Sequence, residues 1–306
     1  MLERGYDKHM VLGAINAGGG FGVLIPPSVA MIIFCLTTGV SVGSLFAAGM
    51  LPGLLLALLV ALYIAVRCFF QPQLGPALPK EERGSWREKL LALRAVLLPI
   101  VVVVMVLGSI LSGIATPTEG AAVGVLGALV CALVRRELSW RMLSEAAQET
   151  LKISGMIMWI FMSSHAFSTA YNAMGAQDMI MELVGYLPGG AWGALAAMLG
   201  LIFVLGMVLD PIGIMLITLP VFMPIIELHG IDPIWFGVLF IIMIETGYMT
   251  PPFGFNLFYL RGVAPPEITM GDIYRSSIPY VAMTLLGLLI VALFPALALW
   301  LPSKLF

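Results

Sequence analysis

Charged residues are scarce in this sequence, which excludes a water-soluble domain. Asp, Glu, Lys and Arg make up 10% of the 306 residues, whereas a soluble domain carries about 25%. Hydrophobic residues make up 60% and the mean hydropathy is +1.05. This composition also excludes a disordered chain, because disorder requires low hydrophobicity and high net charge. The formal net charge of −2 leaves no broad basic surface for nucleic acid. The sequence is that of an integral membrane protein.

Cysteine is also scarce, and the few that occur do not form a recognisable site. Cys35, Cys68 and Cys131 are odd in number, lie far apart and lack Cys-x-x-Cys or Cys/His spacing, which argues against disulfides, zinc and iron–sulfur clusters. We expect them to be small buried hydrophobic residues. Neither Gly-x-Gly-Asp nor His-Glu-x-x-His occurs, and the acids within apolar runs are scattered. We therefore expect neither an enzyme nor a cofactor.

Long charge-free runs predict membrane-spanning helices. No Asp, Glu, Lys or Arg occurs from His9 to Val66, which is enough for two passes of about 20 residues each. The runs are continuously apolar, whereas a barrel needs alternating polarity. We predict an all-α polytopic membrane protein, one domain over 1–306, with about seven crossings and one re-entrant hairpin. The crossings are placed at about 10–38, 44–66, 94–114, 117–134, 152–173, 233–261 and 276–301, and the hairpin at 190–228.

The distribution of basic residues supports this topology. With the amino terminus inside, 14 of the 15 Lys and Arg residues fall in cytoplasmic segments, and only Lys304 lies outside. The arm after Asp210 has about 16 apolar residues before Glu227, which is short for a span and suits a re-entrant arm. Residues 67–93 are predicted to form a cytoplasmic linker, and 137–150 an amphipathic surface helix. The mixed start of the chain does not have the form of a signal peptide.

Two segments 225 residues apart share the residues that shape a backbone. The paired positions are Gly5 and Gly230, Asp7 and Asp232, Gly22 and Gly247, Pro26 and Pro251, and Pro27 and Pro252. Proline pairs interrupt helices, and we expect the glycines at 18–20, 22, 247 and 254 to let both helices unwind. Five predicted crossings lie between the start of one copy and the start of the other. Because five is an odd number, the two copies would have opposite orientations in the membrane, as in secondary transporters. We assign 5–66 to the second half of repeat 1 and 94–301 to repeat 2, with a broken helix at 233–261.

These motifs resemble the large membrane subunit of the TRAP (tripartite ATP-independent periplasmic) transporters. The matching runs are Gly5-Tyr-Asp, Gly18-Gly-Gly-Phe-Gly-Val-Leu-Ile-Pro-Pro-Ser28, Leu45-Phe-Ala-Ala-Gly-Met-Leu-Pro-Gly53, Gly113-Ile-Ala-Thr-Pro-Thr-Glu119, Gly206-Met-Val-Leu-Asp-Pro211 and Gly247-Tyr-Met-Thr-Pro-Pro-Phe-Gly-Phe-Asn-Leu-Phe258. The resemblance implies an elevator-type, sodium-coupled importer of small organic acids, such as C4-dicarboxylates or sialic acid, in the bacterial inner membrane. It also implies a small membrane subunit and a periplasmic substrate-binding protein as partners.

The resemblance further implies which residues hold ions and substrate. A first sodium site would use Gly18, Gly22, Pro26 and Ser28. A second would use Asp210, Ile212 and Gly213 at the hairpin tip with Thr250, Pro251 and Gly254 at the second break. Ser28 and Asn256 would contact a substrate carboxylate. Sodium is the coupling ion, and no other metal is implied.

Four polar residues in apolar surroundings are candidates for either a structural or a functional role. Glu245 would shape a cation site or take a proton, or it would simply pack between helices as a protonated or hydrogen-bonded side chain. Asp210 would cap a helix or line the ion site. Glu119 is expected to cap a helix three residues after Thr116. His165 is expected to be a satisfied core histidine rather than a proton relay.

Two alternatives to a binding-protein-dependent importer stay open. One is a sodium-coupled dicarboxylate or citrate symporter that works without a binding protein. The other is a truncated membrane fragment that does not transport, because Met1 lies four residues before Gly5 and members of the family are longer at the amino end.

Overall fold

The computed structural model describes residues 1–77, 85–186 and 188–306, and within these ranges the chain forms helices and no strands. The predicted all-α fold is confirmed. The α-helices are α1 (Lys8–Leu24), α2 (Val29–Thr38), α3 (Val42–Phe70), α4 (Trp86–Leu111), α5 (Pro117–Val134), α6 (Trp140–Ala173), α7 (Ala176–Gly185), α8 (Gly190–Gly206), α9 (Pro211–Leu228), α10 (Pro233–Tyr248), α11 (Phe255–Val263), α12 (Met270–Leu293), α13 (Ala296–Leu299) and α14 (Pro302–Leu305).

Several of these helices have the length and composition of membrane spans. Among the described residues, five segments are long and apolar enough to cross a membrane: Lys8–Thr38, Val42–Phe70, Pro117–Val134, Pro211–Leu228 and Met270–Leu293. Shorter apolar helices occur at Val96–Leu111, Gly190–Gly206 and Pro233–Tyr248. The polytopic character of the protein is confirmed, whereas the number of crossings and their orientation stay predictions.

Helices extend further between the predicted crossings than the sequence indicated. Helix α4 already begins at Trp86, where Ser85 and Glu88 form a capping box. Residues 78–84 of the predicted linker lie outside the described residues. The predicted surface helix at 137–150 and the crossing at 152–173 form the single helix α6. No Gly or Pro interrupts α6 between Trp140 and Ser154, so its hydrogen bonding continues without a break.

One compact unit comprises Ala77–Trp159. Its helices α4 and α5 pack closely because glycines of α5 face side chains of α4. A Cβ atom on Gly127 would lie 2.8 Å from Val102 Cγ2, and one on Gly120 would lie 2.7 Å from Ile110 Cδ1. Helix α5 begins at a capping box, in which the Thr116 N–H donates to Glu119 Oε2 at 2.7 Å. The capping role predicted for Glu119 is confirmed.

The other compact unit comprises Met1–Pro76 and Ile160–Lys304, and contacts at its two ends show how its helices run. At one end, Lys8 at the start of α1 pairs with Asp272 at 2.6 Å. There, Leu12 also packs in a buried cluster with Leu257 and Leu260 of α11. At the other end, the turn after α2 and the segment around the start of α10 line one cavity, at 38–41 and 226–234.

The two broken helices of this unit are therefore inverted relative to one another. The pair α1–α2 runs from the Lys8 end to the cavity, and the pair α10–α11 runs back from the cavity to the Lys8 end. Both pairs begin at a capping aspartate, Asp7 for α1 and Asp232 for α10. Both proline pairs carry a cis bond between the two prolines. The predicted inverted repeat with two discontinuous helices is confirmed.

The ion pair between Lys8 and Asp272 allows a test of modest expected effect. The side chains are 46% and 14% exposed, so solvent screens the pair only in part. We expect Lys8→Ala to lower the melting temperature slightly, by an amount that shrinks as salt is added. Lys152→Ala is the control, because its partner Glu149 is 64% exposed, and it should change nothing measurable. Equal effects of both variants, measured by thermal unfolding in detergent, would contradict this reading.

Candidate cation and substrate site at the helix breaks

The first break is shorter than predicted. Helix α1 continues through Gly18–Gly22 and ends at Leu24, so the predicted unwinding at these glycines is wrong. Glycine lowers helix stability by only about 1 kcal/mol, whereas opening the backbone in an apolar environment leaves polar groups without partners at a higher cost. The break is confined to Ile25–Ser28, where Pro26 and Pro27 supply no N–H and force Ile25 into an extended conformation.

Ser28 connects the two halves of the first broken helix. Its hydroxyl accepts the N–H of Met31 at 3.4 Å and so caps α2. The same hydroxyl donates to the carbonyl of Val23 near the end of α1. Ser28 and Pro26 are buried, whereas Gly18 and Gly22 are exposed, with open space where a side chain would extend. Of the four residues predicted for a first sodium site, two therefore lie at the break and two on an open face of α1.

The second break lies at 249–254 and contains Thr250, Pro251 and Gly254 as predicted. The unwinding predicted at Gly247 is wrong, because this residue stays within α10. The break brings carbonyl oxygens together. A Cβ atom on Gly254 would collide with the carbonyl oxygen of Tyr248 and would lie 2.8 Å from that of Thr250. The space beside Gly254 is therefore bordered by two main-chain oxygens. The Thr250 hydroxyl donates to the Thr246 carbonyl at 2.7 Å. Tyr274 of α12 donates to the Pro252 carbonyl at 2.8 Å, which fixes the far side of the break.

Helices α8 and α9 contact each other as the two arms of a helical hairpin at the predicted place, and its tip lies beside the second break. The re-entrant course of this hairpin in the membrane stays a prediction. A Cβ atom on Gly247 would lie 2.8 Å from Gly206 Cα, so α8 and α10 cross with their backbones in contact. Asp210 follows four residues after Gly206 and caps α9, accepting the N–H groups of Ile212 and Gly213 at 3.0 Å each. The structure thus brings the hairpin tip to the second break and shows that Asp210 caps α9.

Two buried polar atoms near the second break have no hydrogen-bond partner. They are the hydroxyl of Tyr248 and the Nδ2 amide of Asn256. Asn256 lies in the first turn of α11, directly after Gly254 and Phe255. The Tyr248 ring packs edge-on against Phe255, with 5.9 Å between ring centroids. Unpartnered buried donors are uncommon in native proteins, so these two atoms indicate a place for a hydrogen-bond acceptor.

Sequence reasoning missed Asn16 and Tyr248, and it misplaced His165. Asn16 and Tyr248 are buried and keep an unpartnered polar atom. The only available signal for Asn16 was an amide within a charge-free, glycine-rich run. His165 is exposed rather than part of the core. With Ser164 and Ser168 it lines a cavity of about 170 Å³.

The cysteines, Ser41 and the acidic residues are of types that could carry covalent or metal chemistry, but they are not arranged as a nucleophile site or a metal site. Cys35 is buried, whereas Cys68 and Cys131 are half-buried, and all three are free. Ser41 has the Gly-x-Ser-x-Gly spacing of a nucleophile elbow, but its hydroxyl caps α3 by accepting the Ser44 N–H at 3.3 Å. In the part of the chain that the structure describes, no group of three or more His, Cys, Asp or Glu residues could hold a metal. A cation at the breaks would therefore depend on carbonyl and hydroxyl oxygens.

An inverted pair of broken helices with a hairpin tip at one break is the architecture of a secondary transporter. In agreement, the chain matches the family profile of the tripartite ATP-independent periplasmic transporter, DctM component, over residues 1–297. The chain belongs to this family, whose members are the large permease proteins of TRAP transporters. The resemblance found in the sequence motifs is confirmed.

The similarity to individual relatives covers nearly the whole of this chain. It is 34% identical to the C4-dicarboxylate TRAP transporter large permease protein of Pseudomonas aeruginosa, over 99% of this chain and 70% of that protein. It is 33% identical to the ectoine TRAP transporter large permease protein of Halomonas elongata, over 98% of this chain and 69% of that protein. It is 30% identical to the 2,3-diketo-L-gulonate TRAP transporter large permease protein of Escherichia coli, over 99% of this chain and 70% of that protein.

Proposed function

We propose that the chain is the membrane permease of a sodium-coupled importer of small organic acids in the bacterial inner membrane. It would work by elevator-type movement, together with a small membrane subunit and a periplasmic binding protein. The observation that carries the proposal is the second break, where two main-chain oxygens border the space beside Gly254 next to the tip of a helical hairpin. The chain would move its solute across the membrane without changing it chemically.

The donor set of the second break fits a sodium ion. The carbonyl oxygens of Tyr248 and Thr250 border one space, and main-chain carbonyls freed at a broken helix are the oxygens that coordinate sodium in such transporters. The Thr250 hydroxyl uses its hydrogen on Thr246 and keeps lone pairs for a cation. Asp210 at the adjoining tip adds negative charge. At the first break, Pro26 and Ser28 would contribute with Gly18 and Gly22, and Ser28 would have to share its hydroxyl with Val23.

The same region offers donors for a carboxylate. The Nδ2 group of Asn256 is buried and lacks an acceptor, and it lies in the first turn of α11, where the helix dipole favours an anion. Ser28 is the second predicted substrate contact, through its hydroxyl group. Two of the three relatives are named for carboxylic acids, C4-dicarboxylates and 2,3-diketo-L-gulonate, which agrees with an acid as the solute of this chain. No Lys or Arg lies between Lys152 and Arg261, so helix ends, amides and sodium would supply the positive potential.

This arrangement explains how sodium binding and substrate binding would assist each other. Without a cation, the carbonyl oxygens and Asp210 would repel a carboxylate at the break. A sodium ion at the carbonyls would reverse the local potential, and the carboxylate would in turn strengthen sodium binding by the same factor. The chain's own residues would hold the ion at Thr250 and orient the acid through Asn256.

The proposal is tested by reconstituting the chain with its small subunit and binding protein in lipid vesicles. Uptake of candidate acids is measured with and without an inward sodium gradient, and again without the binding protein. We expect uptake only when sodium and the binding protein are both present. Uptake that ignores sodium would contradict the coupling, and uptake without the binding protein would favour the symporter alternative.

Asn256 allows a test of the substrate contact. A hydrogen bond to a charged group contributes about 1.5–3 kcal/mol, and every 1.4 kcal/mol is about tenfold in affinity. We therefore expect Asn256→Ala to raise the substrate concentration for half-maximal uptake by about tenfold or more, with the sodium requirement little changed. Tyr259→Phe, an exposed position of the same helix, serves as the control and should behave like the unmodified chain. An unchanged substrate requirement in Asn256→Ala would remove this residue from the site.

A further inference from the structure

Glu245 is the one fully buried acidic residue in the described ranges, and none of the residues that the structure describes neutralises it. It lies within α10 with 0% of its surface exposed. Both carboxyl oxygens are buried and neither has a hydrogen-bond partner. An ionised carboxylate in such a place is strongly unfavourable unless a donor or a cation pairs with it. The proposed sodium and substrate contacts do not use this group.

The location of Glu245 is as informative as its burial. Its side chain lies against Gly20 of α1, where a Cβ atom would approach Glu245 Oε1 to 2.6 Å and Cγ to 2.8 Å. The two residues occupy equivalent positions of the repeat, because they are separated by the same 225 residues as the paired glycines, aspartates and prolines. The two broken helices therefore cross at this contact, and only one of them has room for a side chain there.

A row of hydrogen bonds leads away from this crossing and lacks its first donor. Asn16 lies one helical turn before Gly20, on the same side of α1, and its Nδ2 donates to Ser277 Oγ at 2.9 Å. Ser277 donates to the Ile273 carbonyl at 2.9 Å, so its hydrogen is already used. Asn16 Oδ1 is buried and has no partner. The crossing thus presents acceptor oxygens from Asn16 and Glu245 without a donor for either.

No charged side chain of the packed helices supplies that donor. Helices α1, α2, α3, α8, α9, α11, α12 and α13 contact α10, and their charged residues lie in the first or last two turns, away from the middle of each helix. The charged residues are Lys8, Arg67, Glu227, Arg261, Asp272 and Arg275, with Asp210 capping α9; the other titratable residues on these helices and α10 are His9, Cys35, Tyr63, Cys68, Tyr248, Tyr259, Tyr274 and Tyr280. Tyr280 already donates to the Met10 carbonyl at 3.0 Å.

We propose that Glu245 is a proton-binding site at the crossing of the two broken helices. The carboxyl group takes a proton from water and is neutral in the folded protein. Its O–H is directed toward Asn16 Oδ1, directly or through one water, and completes a row of donors from Glu245 through Asn16 and Ser277 to the Ile273 carbonyl. This row connects α10, α1 and α12. It does not depend on sodium coupling, and the experiment below leaves sodium out.

Infrared spectroscopy of the purified full chain in detergent tests the protonation state directly. A neutral carboxyl group absorbs apart from ionised carboxylates and amides. We expect a difference spectrum between the unmodified chain and Glu245→Gln at neutral pH to contain this band. Glu227→Gln, an exposed position at the end of α9, should give no such band. The absence of a band for Glu245 would overturn the proposal, and a band unaltered by Asn16→Ala would overturn the hydrogen-bonded row.

Thermal unfolding against pH gives a second, independent readout. In the unfolded chain Glu245 is exposed and ionised at neutral pH, so the folded chain binds one proton more and its stability falls as pH rises. We expect the melting temperature to fall by several degrees more for the unmodified chain than for Glu245→Gln between about pH 6 and about pH 9. Glu227→Gln should follow the unmodified chain. A parallel decline in Glu245→Gln would contradict the proposal.

If the Glu245→Gln variant does not fold, the test uses only the unmodified chain. The infrared band of its neutral carboxyl group should then disappear at alkaline pH, and a band that persists would count against the proposal.

Discussion

Gly254→Ala is expected to abolish sodium-dependent uptake. The added methyl group would collide with the carbonyl oxygen of Tyr248 and lie 2.8 Å from that of Thr250, which is closer than a carbon atom normally approaches. Gly254 has φ −46°, a value that any L-residue adopts, so the conflict is with the carbonyl oxygens and not with the backbone conformation. The methyl group would occupy the space assigned to the cation. Uptake in reconstituted vesicles should fall to the level seen without sodium.

Gly262→Ala is the matched control for this substitution. It lies in the same helix, α11, and nothing lies within 4 Å of its added methyl group. It should transport like the unmodified chain, and both variants should elute as single species in size-exclusion chromatography. Sodium-dependent uptake by a well-folded Gly254→Ala variant at half the normal rate or more would show that the cation binds elsewhere.

Thr250→Val is expected to raise the sodium concentration for half-maximal uptake by about tenfold, which corresponds to about 1.4 kcal/mol. Valine retains the shape of threonine but removes the hydroxyl oxygen, while the main-chain carbonyl of residue 250 remains. The site would thus lose one ligand and keep the others. The maximal rate at saturating sodium should change less than the sodium requirement. Uptake is measured over a series of sodium concentrations at fixed substrate.

Thr246→Val separates the loss of a ligand from the loss of a hydroxyl group in general. Thr246 lies one turn earlier in α10, is fully buried and donates to the Ile242 carbonyl at 2.6 Å. Thr250 makes the same type of hydrogen bond, at 2.7 Å to Thr246. Any general effect on α10 should therefore appear in both variants, whereas the sodium requirement should rise only in Thr250→Val. Identical sodium curves for the two variants would exclude Thr250 as a ligand.

The helix breaks could be predicted from the sequence because proline acts locally. A Pro-Pro pair removes two donors and restricts the residue before it, whatever surrounds it, and both breaks contain the predicted pair. The unwinding at Gly18 and Gly22 could not be decided in this way. Glycine permits a helix to open without requiring it, and in an apolar environment the lost hydrogen bonds outweigh the weak helix propensity.

The contacts between elements were beyond the reach of sequence patterns. The motif that ends in Asp210-Pro211 correctly indicated a helix start, because an aspartate before proline caps locally. That Gly206 would touch Gly247 depends on how α8 and α10 pack, which no spacing within either helix records. Asn16 and Tyr248 could not be predicted for a related reason. Each has a polar atom without a hydrogen-bond partner because the neighbouring helices place no suitable group beside it, and this is visible only in the folded chain.

The contact between Gly206 and Gly247 has a mechanical consequence. Two main chains touch there without intervening side chains, so no rotamer change can absorb a relative displacement. A shift of α8 along its axis must therefore be transmitted to the end of α10 and to Thr250 three residues later. The hairpin tip and the second break consequently form a stiff joint. In the proposed elevator-type movement these two elements would shift together, and the deformation would take place in other parts of the molecule.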